Sequence, residues 1–411
     1  MIRAWSRGSF CLLIAFALLG QQQTSGAVPT GRDAHGPGDP AAALEQARQL
    51  MEDGRYRQAE GQLRGLLTQA RRLPPPSQTA VSVLHTLGLV LHRQGRYQEA
   101  YPLLREAVET AERIPGLGCG DVVNLLVNLG VNYHERGQPG EAEKIYRRAL
   151  ALSQEEGCGT NHPGTAEALS NLATLAFARG HYEAAESMYR AALSGYVTAY
   201  GPAQPQTANV QENLGSLYKV RGRLTEAESL YQRSLETRES ALGPNHPDVA
   251  QTLINLASIH VLAGDLDKAE YEARRALLIA KHAQNAEAVL AAAYVSLANA
   301  LRFQKRNVEA EWTYRTALPM FEKQYGPNHP QVAAVLFNMA GACFDQKHYA
   351  EAGNLMRRAL DIRQAAFSPG HAKVLATLEA YAKVLQKLHR TEEAAKIRVQ
   401  VKTSFAGTNT R

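Results

Sequence analysis

An all-α solenoid of about nine helix–turn–helix units is the fold class that this sequence predicts, and three observations predict it. A turn-and-helix signature of the form G-x-Y-x-E-A recurs, with variations, from Gly54, Gly95, Gly137, Gly180, Gly222, Gly264, Lys305, Lys347 and His389, at steps of 41 to 43 residues. Self-similarity at such a period marks a stacked-repeat architecture. Five residues after each of those positions stands an alanine: Ala59, Ala100, Ala142, Ala185, Ala227, Ala269, Ala310, Ala352 and Ala394. A small side chain at one fixed point of every unit is what close helix-to-helix approach requires. Finally, the apolar residues on both sides of the turns keep helical spacing. Leu253, Leu256, Ala257 and His260 precede Gly264, and Ala269, Ala273, Ala276 and Leu277 follow it, each set at i, i+3, i+4, i+7.

Taken from the N-terminus, residues 1–27 read as a secretory signal peptide. Arg3 and Arg7 form a basic leader, Phe10 to Leu19 is nearly unbroken apolar sequence, and Ser25-Gly26-Ala27 puts small residues at a cleavage site. Residues 28–40 (VPTGRDAHGPGDP) are rich in Gly, Pro and Asp and are expected to be a flexible linker. The repeats are expected over 41–405, followed by a short disordered tail at 406–411. Within a unit, Gly264-Asp265 ends one helix and starts the next, since Gly accepts the left-handed conformation and Asp can cap. Between units, Gly243-Pro244-Asn245-His246-Pro247 and Gly326-Pro327-Asn328-His329-Pro330 form a second turn, with Pro where the next helix begins and its missing N–H is not needed. No segment reads as a strand.

Composition narrows the function classes. The chain has 411 residues, 45% apolar and 20% charged, with a net charge of +6. That charge is small for the length and speaks against nucleic acid as a partner. No apolar run reaches the roughly 18 to 20 residues that span a bilayer, so stable membrane insertion is not expected. The sequence contains no G-x-x-x-x-G-K-[ST] and no H-E-x-x-H, and it has no G-x-G-x-x-G between a strand and a helix. His246 and His329 recur because the joint recurs, and capping or packing explains them. Cys158 and His162 alone fall short of a zinc set. The chain is therefore read as non-enzymatic, with no metal and no cofactor.

Leu129, Gly130, Tyr133, Ala142, Tyr146 and Ala149 stand at the spacings of the tetratricopeptide repeat, and the frame recurs as Leu214, Gly215, Tyr218, Ala227, Tyr231 and Ser234. The chain resembles that family over about 41–405. The period near 42 and the joint sequence at Gly243 to Ala250 and Gly326 to Ala333 are similar to the repeats of kinesin light chains, a likeness of repeat style. The resemblance implies a right-handed superhelix with a concave groove lined by the first helix of each pair. The first, seventh and ninth repeats depart most: Lys305 and His389 replace the turn Gly, and Arg398 fills a slot that holds Tyr elsewhere.

Candidate binding residues form a polar stripe on those first helices. Asn128, Asn171, Asn213, Asn255 and Asn338 stand one residue before the core Leu position, with Ser296 in the seventh repeat. Four residues earlier come Asn124, Glu167, Asn209 and Gln251, and three residues later Thr174, Ser216, Ser258 and Asn299. Such spacing keeps the stripe on one helix face. In tetratricopeptide proteins the matching Asn positions look into the groove and hold an extended peptide. A carboxamide can pair with a peptide N–H and C=O alike, whatever side chain lies beside them; against that stands the possibility that these Asn bond a neighbouring helix or only face solvent. The seventh and eighth repeats present Ala292, Val295, Phe303, Ala334, Phe337 and Phe344, expected either to pocket apolar side chains or to pack between repeats. Position four before the Asn carries no Lys or Arg, which argues against a clamp for chaperone tails.

Cys119 and Cys158 each sit in a Gly-Cys-Gly tripeptide in successive joints, where a disulfide could staple neighbouring repeats in an oxidising compartment. Cys343 takes a core position and reads as a small buried hydrophobe. The function expected from the sequence is an exported, secreted or periplasmic, scaffold that binds a protein or extended peptide in its groove. The alternative is a structural or assembly component that docks through its convex face or its ends.

Overall fold

The computed structural model describes residues 40–74, 76–155, 158, 162–284 and 286–406, with side chains as far as Val401. The expected signal segment (1–27), residues 28–39 of the expected linker and the expected tail from 407 lie outside the described residues. Every described element of regular structure is a helix. They come in pairs: α1 (Pro40–Glu52) with α2 (Tyr56–Ala70), α3 (Gln78–Arg93) with α4 (Tyr97–Ala111), α5 (Cys119–Glu135) with α6 (Pro139–Ser153), and α7 (Pro163–Ala178) with α8 (Tyr182–Tyr200). These helices belong to one compact unit. A second unit holds α9 (Pro205–Val220) with α10 (Leu224–Leu242), α11 (Pro247–Ala263) with α12 (Leu266–His282), and α13 (Glu287–Phe303) with α14 (Asn307–Tyr325). It is completed by α15 (Pro330–Asp345) with α16 (Tyr349–Ala366) and α17 (Ala372–Lys387) with α18 (Thr391–Ala406).

The recurring alanines do what their position predicts. All nine lie where the second helix meets the first, and each is 0% or 1% exposed. The turn inside each pair is equally uniform. Lys305, Lys347 and His389, which replace Gly in three repeats, adopt φ of +69°, +67° and +59°, the same left-handed turn that Gly54 makes at +73°. A side chain in that region costs about 1 kcal/mol, so the surrounding helices hold the turn against local preference. Four of the joints between pairs are capped by histidine. His162, His246, His329 and His371 each accept, through Nδ1, the backbone N–H two residues on, at 3.1 to 3.2 Å. Satisfying an orphan donor at the helix start is the role of an N-cap.

Within each unit, successive first helices lie beside one another, as α3 beside α5 and α5 beside α7 in one, and α11 beside α13 and α13 beside α15 in the other. Exposed ion pairs link neighbouring second helices, for example Arg71 with Glu106 at 2.8 Å and Arg358 with Glu322 at 2.7 Å. Such pairs contribute a few tenths of a kcal/mol each. Among the described residues no helix is long and apolar enough to cross a membrane.

Candidate peptide-binding face

The predicted polar stripe divides into residues bound internally and residues whose side chains are open. In the first unit, Asn128 on α5 is 7% exposed and its Nδ2 pairs with Nε2 of His85 on α3 at 3.0 Å. Burial holds His85 down to about 4, so the imidazole there is neutral at ordinary pH. Asn171 on α7 is buried as well, whereas Asn124 on α5 is half-buried. Glu167 takes the place of Asn124 one repeat later. Burial pushes its carboxyl up to about 7, with no cation among the described residues to offset this.

In the second unit the carboxamides of Asn299 and Asn338 are turned on each other. Asn338 Nδ2 donates to Asn299 Oδ1 at 3.2 Å, and the hydroxyl of Tyr314 donates to the same oxygen at 2.5 Å. Both Asn are buried, so this part of the stripe is a packed polar network between α13, α14 and α15. The other four amides differ. Asn209 and Asn213 on α9, and Gln251 and Asn255 on α11, are half-buried. The side chains of Asn213 and Asn255 make no hydrogen bond among the described residues. Gln251 keeps a buried Oε1 without a partner, and Asn209 accepts a bond from Arg238 through Oδ1 alone, at 2.7 Å. Lys219 on α9 donates to Ser258 on α11 at 3.3 Å, which sets these two helices side by side. Four amides at i, i+4 on two adjacent helices therefore keep donors and acceptors available.

Of the two arrangements expected for the apolar residues of the seventh and eighth repeats, packing between helices is the one observed. Ala292 and Val295 are buried, and Phe303 packs on Val261, Ala269 and Ala300. Phe344 meets the ring of Tyr349 edge-on, and Phe337 is buried beneath the guanidinium of Arg363, 4.6 Å from its ring centre. These side chains fill gaps between helices, because a first helix in the middle of the stack has neighbours on most of its surface.

The repeat pattern of the sequence does not single out the charged groups inside the second unit. Arg238 at the end of α10 reaches Glu212 Oε1 at 3.0 Å, Thr252 Oγ1 at 2.9 Å and the carbonyl oxygen of Asp248 at 2.9 Å. His260 lies between Glu272 Oε2 at 2.7 Å and Glu228 Oε1 at 3.1 Å, and these carboxylates, Glu272 foremost, raise its affinity for a proton. The visible signal is a charged residue at a repeat position that is small or aromatic in most repeats, as Arg238 stands where other repeats have Ala111, Ser153, Tyr196 and Phe321.

Glu311, Cys343 and Glu351 come close enough to share an ion. Arg315 already stands between the two carboxylates, bonded to Glu311 at 2.9 Å and to Glu351. Burial pushes the Cys343 thiol up to about 12, leaving it protonated and a poor metal ligand. Cys119 and Cys158 are joined in a disulfide with their Cα atoms 5.4 Å apart, which ties the start of α5 to the joint after α6.

Comparison with known proteins agrees with this architecture. The tetratricopeptide repeat profile matches residues 39–113, 79–155, 121–196, 206–282, 289–365 and 333–397. Among curated proteins, none matches the sequence significantly. The apo form of the quorum sensor NprR from B. thuringiensis is similar with a TM-score of 0.62 at 18% identity, over 79% of this chain and 87% of that one. A Rap protein complexed with Competence and Sporulation Factor is similar with a TM-score of 0.59 at 14% identity, over 90% and 98%. A putative kinesin light chain from Podosopora anserina with nearly identical repeats gives 0.43 at 21% identity, over 51% and 99%. At these identities the likeness of the first two is one of fold. With profile matches along most of its length, the chain belongs to the tetratricopeptide repeat family.

Proposed function

We propose that this chain is a non-enzymatic, exported scaffold that holds an extended polypeptide against the first-helix face of α9 and α11. The observation that carries the reading is the set of Asn209, Asn213, Gln251 and Asn255, half-buried amides whose hydrogen-bonding capacity is not used up inside the fold. Amides in that state pair with backbone N–H and C=O groups of an extended chain and leave its side chains largely unread. The Rap structure, which holds Competence and Sporulation Factor, supports a binding role for this fold. Export is favoured by the basic and apolar leader together with the Cys119–Cys158 bond, since such bonds persist in oxidising compartments.

The test is retention of a pool of random, N-acetylated, C-amidated octapeptides by the full chain and by the double variant Asn213→Ala, Asn255→Ala. Neither side chain is bonded within the fold, so the variant keeps its helices. Strong retention by the natural chain and loss in the variant is the expected result; equal retention by both removes these amides from the site. A second reading rests on the opposite face. Tyr271 on α12 and Trp312 on α14 are both 68% exposed at the same place in adjacent repeats, and a partner docked there would be released by Trp312→Ser and not by the Asn variant.

A further inference from the structure

Two repeats of the second unit bury an arginine at the same place, and only one of them neutralises it. Counted from the turn residues Gly222 and Lys347, Arg238 and Arg363 both stand 16 residues on, at the end of the second helix of a pair. Both turn inward onto the next first helix in the same manner. Arg238 Nη1 takes the Asp248 carbonyl and Thr252 Oγ1, and Arg363 Nη1 takes the Lys373 carbonyl at 3.3 Å and Thr377 Oγ1 at 2.6 Å. In each the Nε is buried without a partner.

What surrounds the two guanidinium groups is opposite in character. Arg238 has the Glu212 carboxylate at 3.0 Å and the Asn209 amide oxygen on Nη2. At the corresponding places around Arg363 stand Phe337 and Ala334. The first turn of the next helix carries Asp248 in one case and Lys373 in the other, and Gln251 is replaced by Ala376. Arg363 is 4% exposed, and both of its hydrogen bonds among the described residues use Nη1. Burial alone lowers its pKa, to about 10, and Arg363 in turn lowers the already desolvated Lys373. A buried cation normally has a paired anion. Here the carboxylate is missing, a second cation is added, and the side chains that would cover the guanidinium are cut back to Ala334 and Ala376, both half-buried.

We infer that Arg363 and Lys373 form a carboxylate-binding subsite on the first-helix face of α15 and α17, filled by an acidic side chain or the terminal carboxylate of the bound polypeptide. A carboxylate suits Nη2 of Arg363, which makes no hydrogen bond among the described residues and, unlike Nε, is not sealed in the fold; in Arg238 the same nitrogen takes the Asn209 oxygen. The Phe337 ring, stacked at 4.6 Å, holds the guanidinium in place for it. The subsite gives an otherwise backbone-directed face one point of sequence preference. It rests on the proposed reading that this face takes a polypeptide.

Three pools of random octapeptides separate the possibilities: amidated with Asp at one fixed central position, amidated with Asn there, and the Asn pool with a free C-terminal carboxylate. The full natural chain is expected to retain the Asp pool or the free-acid pool at least tenfold over the amidated Asn pool, and the pool retained says which carboxylate is read. Phe337→Glu supplies the missing carboxylate in cis, as Glu212 does for Arg238, and is expected to erase that preference. Lys373→Asp, which copies Asp248 at the helix start, is expected to weaken the preference and guards against a packing defect at Phe337. Equal retention of all three pools would overturn the subsite and leave backbone binding standing, and a preference that survives Phe337→Glu would overturn it too. Retention of none would overturn the polypeptide-binding reading and the subsite with it.

Discussion

Replacing Glu212 by Gln removes the one carboxylate bonded to Arg238 among the described residues and changes little else. The pair is buried, with side chains 5% and 11% exposed, and its N–O distance is 3.0 Å. Breaking such a pair from one side costs about 3 to 5 kcal/mol, because the remaining charge stays in low dielectric without compensation. Arg238 keeps three neutral acceptors, on Asn209, Asp248 and Thr252, so the loss belongs at the lower end, about 3 kcal/mol. In a stacked-repeat protein, where each unit is stabilised by its neighbours, that loss is felt locally. Hydrogen exchange of the amides in α10 and α11 should therefore accelerate by roughly a hundredfold, at about 1.4 kcal/mol per factor of ten, while α15 to α17 change little. An acceleration below threefold in α10 and α11 would refute the claim that Glu212 neutralises a buried charge.

Three other outcomes follow from the packing. Gly130→Leu should cost about 3 kcal/mol, because even a Cβ at that position would lie 2.5 Å from the ring of Tyr146, which is 2% exposed; a urea midpoint equal to that of the natural chain would contradict it. Glu167→Gln should stabilise the first unit at pH 8 and not at pH 5. Its carboxyl is raised in the folded state, so the stability it contributes is present below the unfolded value near 4.5 and is lost as pH rises through about 7; thermal unfolding at the two pH values reads this directly. Reducing Cys119–Cys158, which closes a loop with a sequence separation of 39, should lower stability by about 4 kcal/mol in the chain-entropy account. Alkylation and mass mapping of the unreduced, denatured chain should leave both cysteines unlabelled.

The fold was legible because its determinants are local and repeated. A left-handed turn and an alanine at the contact recur at the same step in every repeat, a histidine caps four of the joints, and even Lys305, Lys347 and His389 fall into the turn that their neighbours dictate. The candidate binding face was legible only in part. Asn128 and Asn338 carry the same residue type at the same register as Asn213 and Asn255, and Asn299 stands on the same helix face three residues past that register, yet they are closed off by His85, Tyr314 and each other. Those partners sit on other helices, so whether an amide is open depends on side chains a repeat away that periodicity does not single out. The same holds for Phe337. A large apolar residue on the first-helix face reads as a pocket wall, and only the position of Arg363 above it reveals a cover for a buried cation.

The central claim, that Asn213 and Asn255 hold the backbone of an extended polypeptide, is tested most directly by methylating that backbone. An octapeptide recovered from the random pool would be resynthesised with N-methyl groups at alternate residues and titrated against the full chain beside its unmodified form. The account predicts that methylation at one alternation weakens binding at least tenfold, through the loss of backbone donors, and that Asn213→Ala, Asn255→Ala removes most of this difference. Equal affinity of the methylated and unmodified peptides for the natural chain would contradict it.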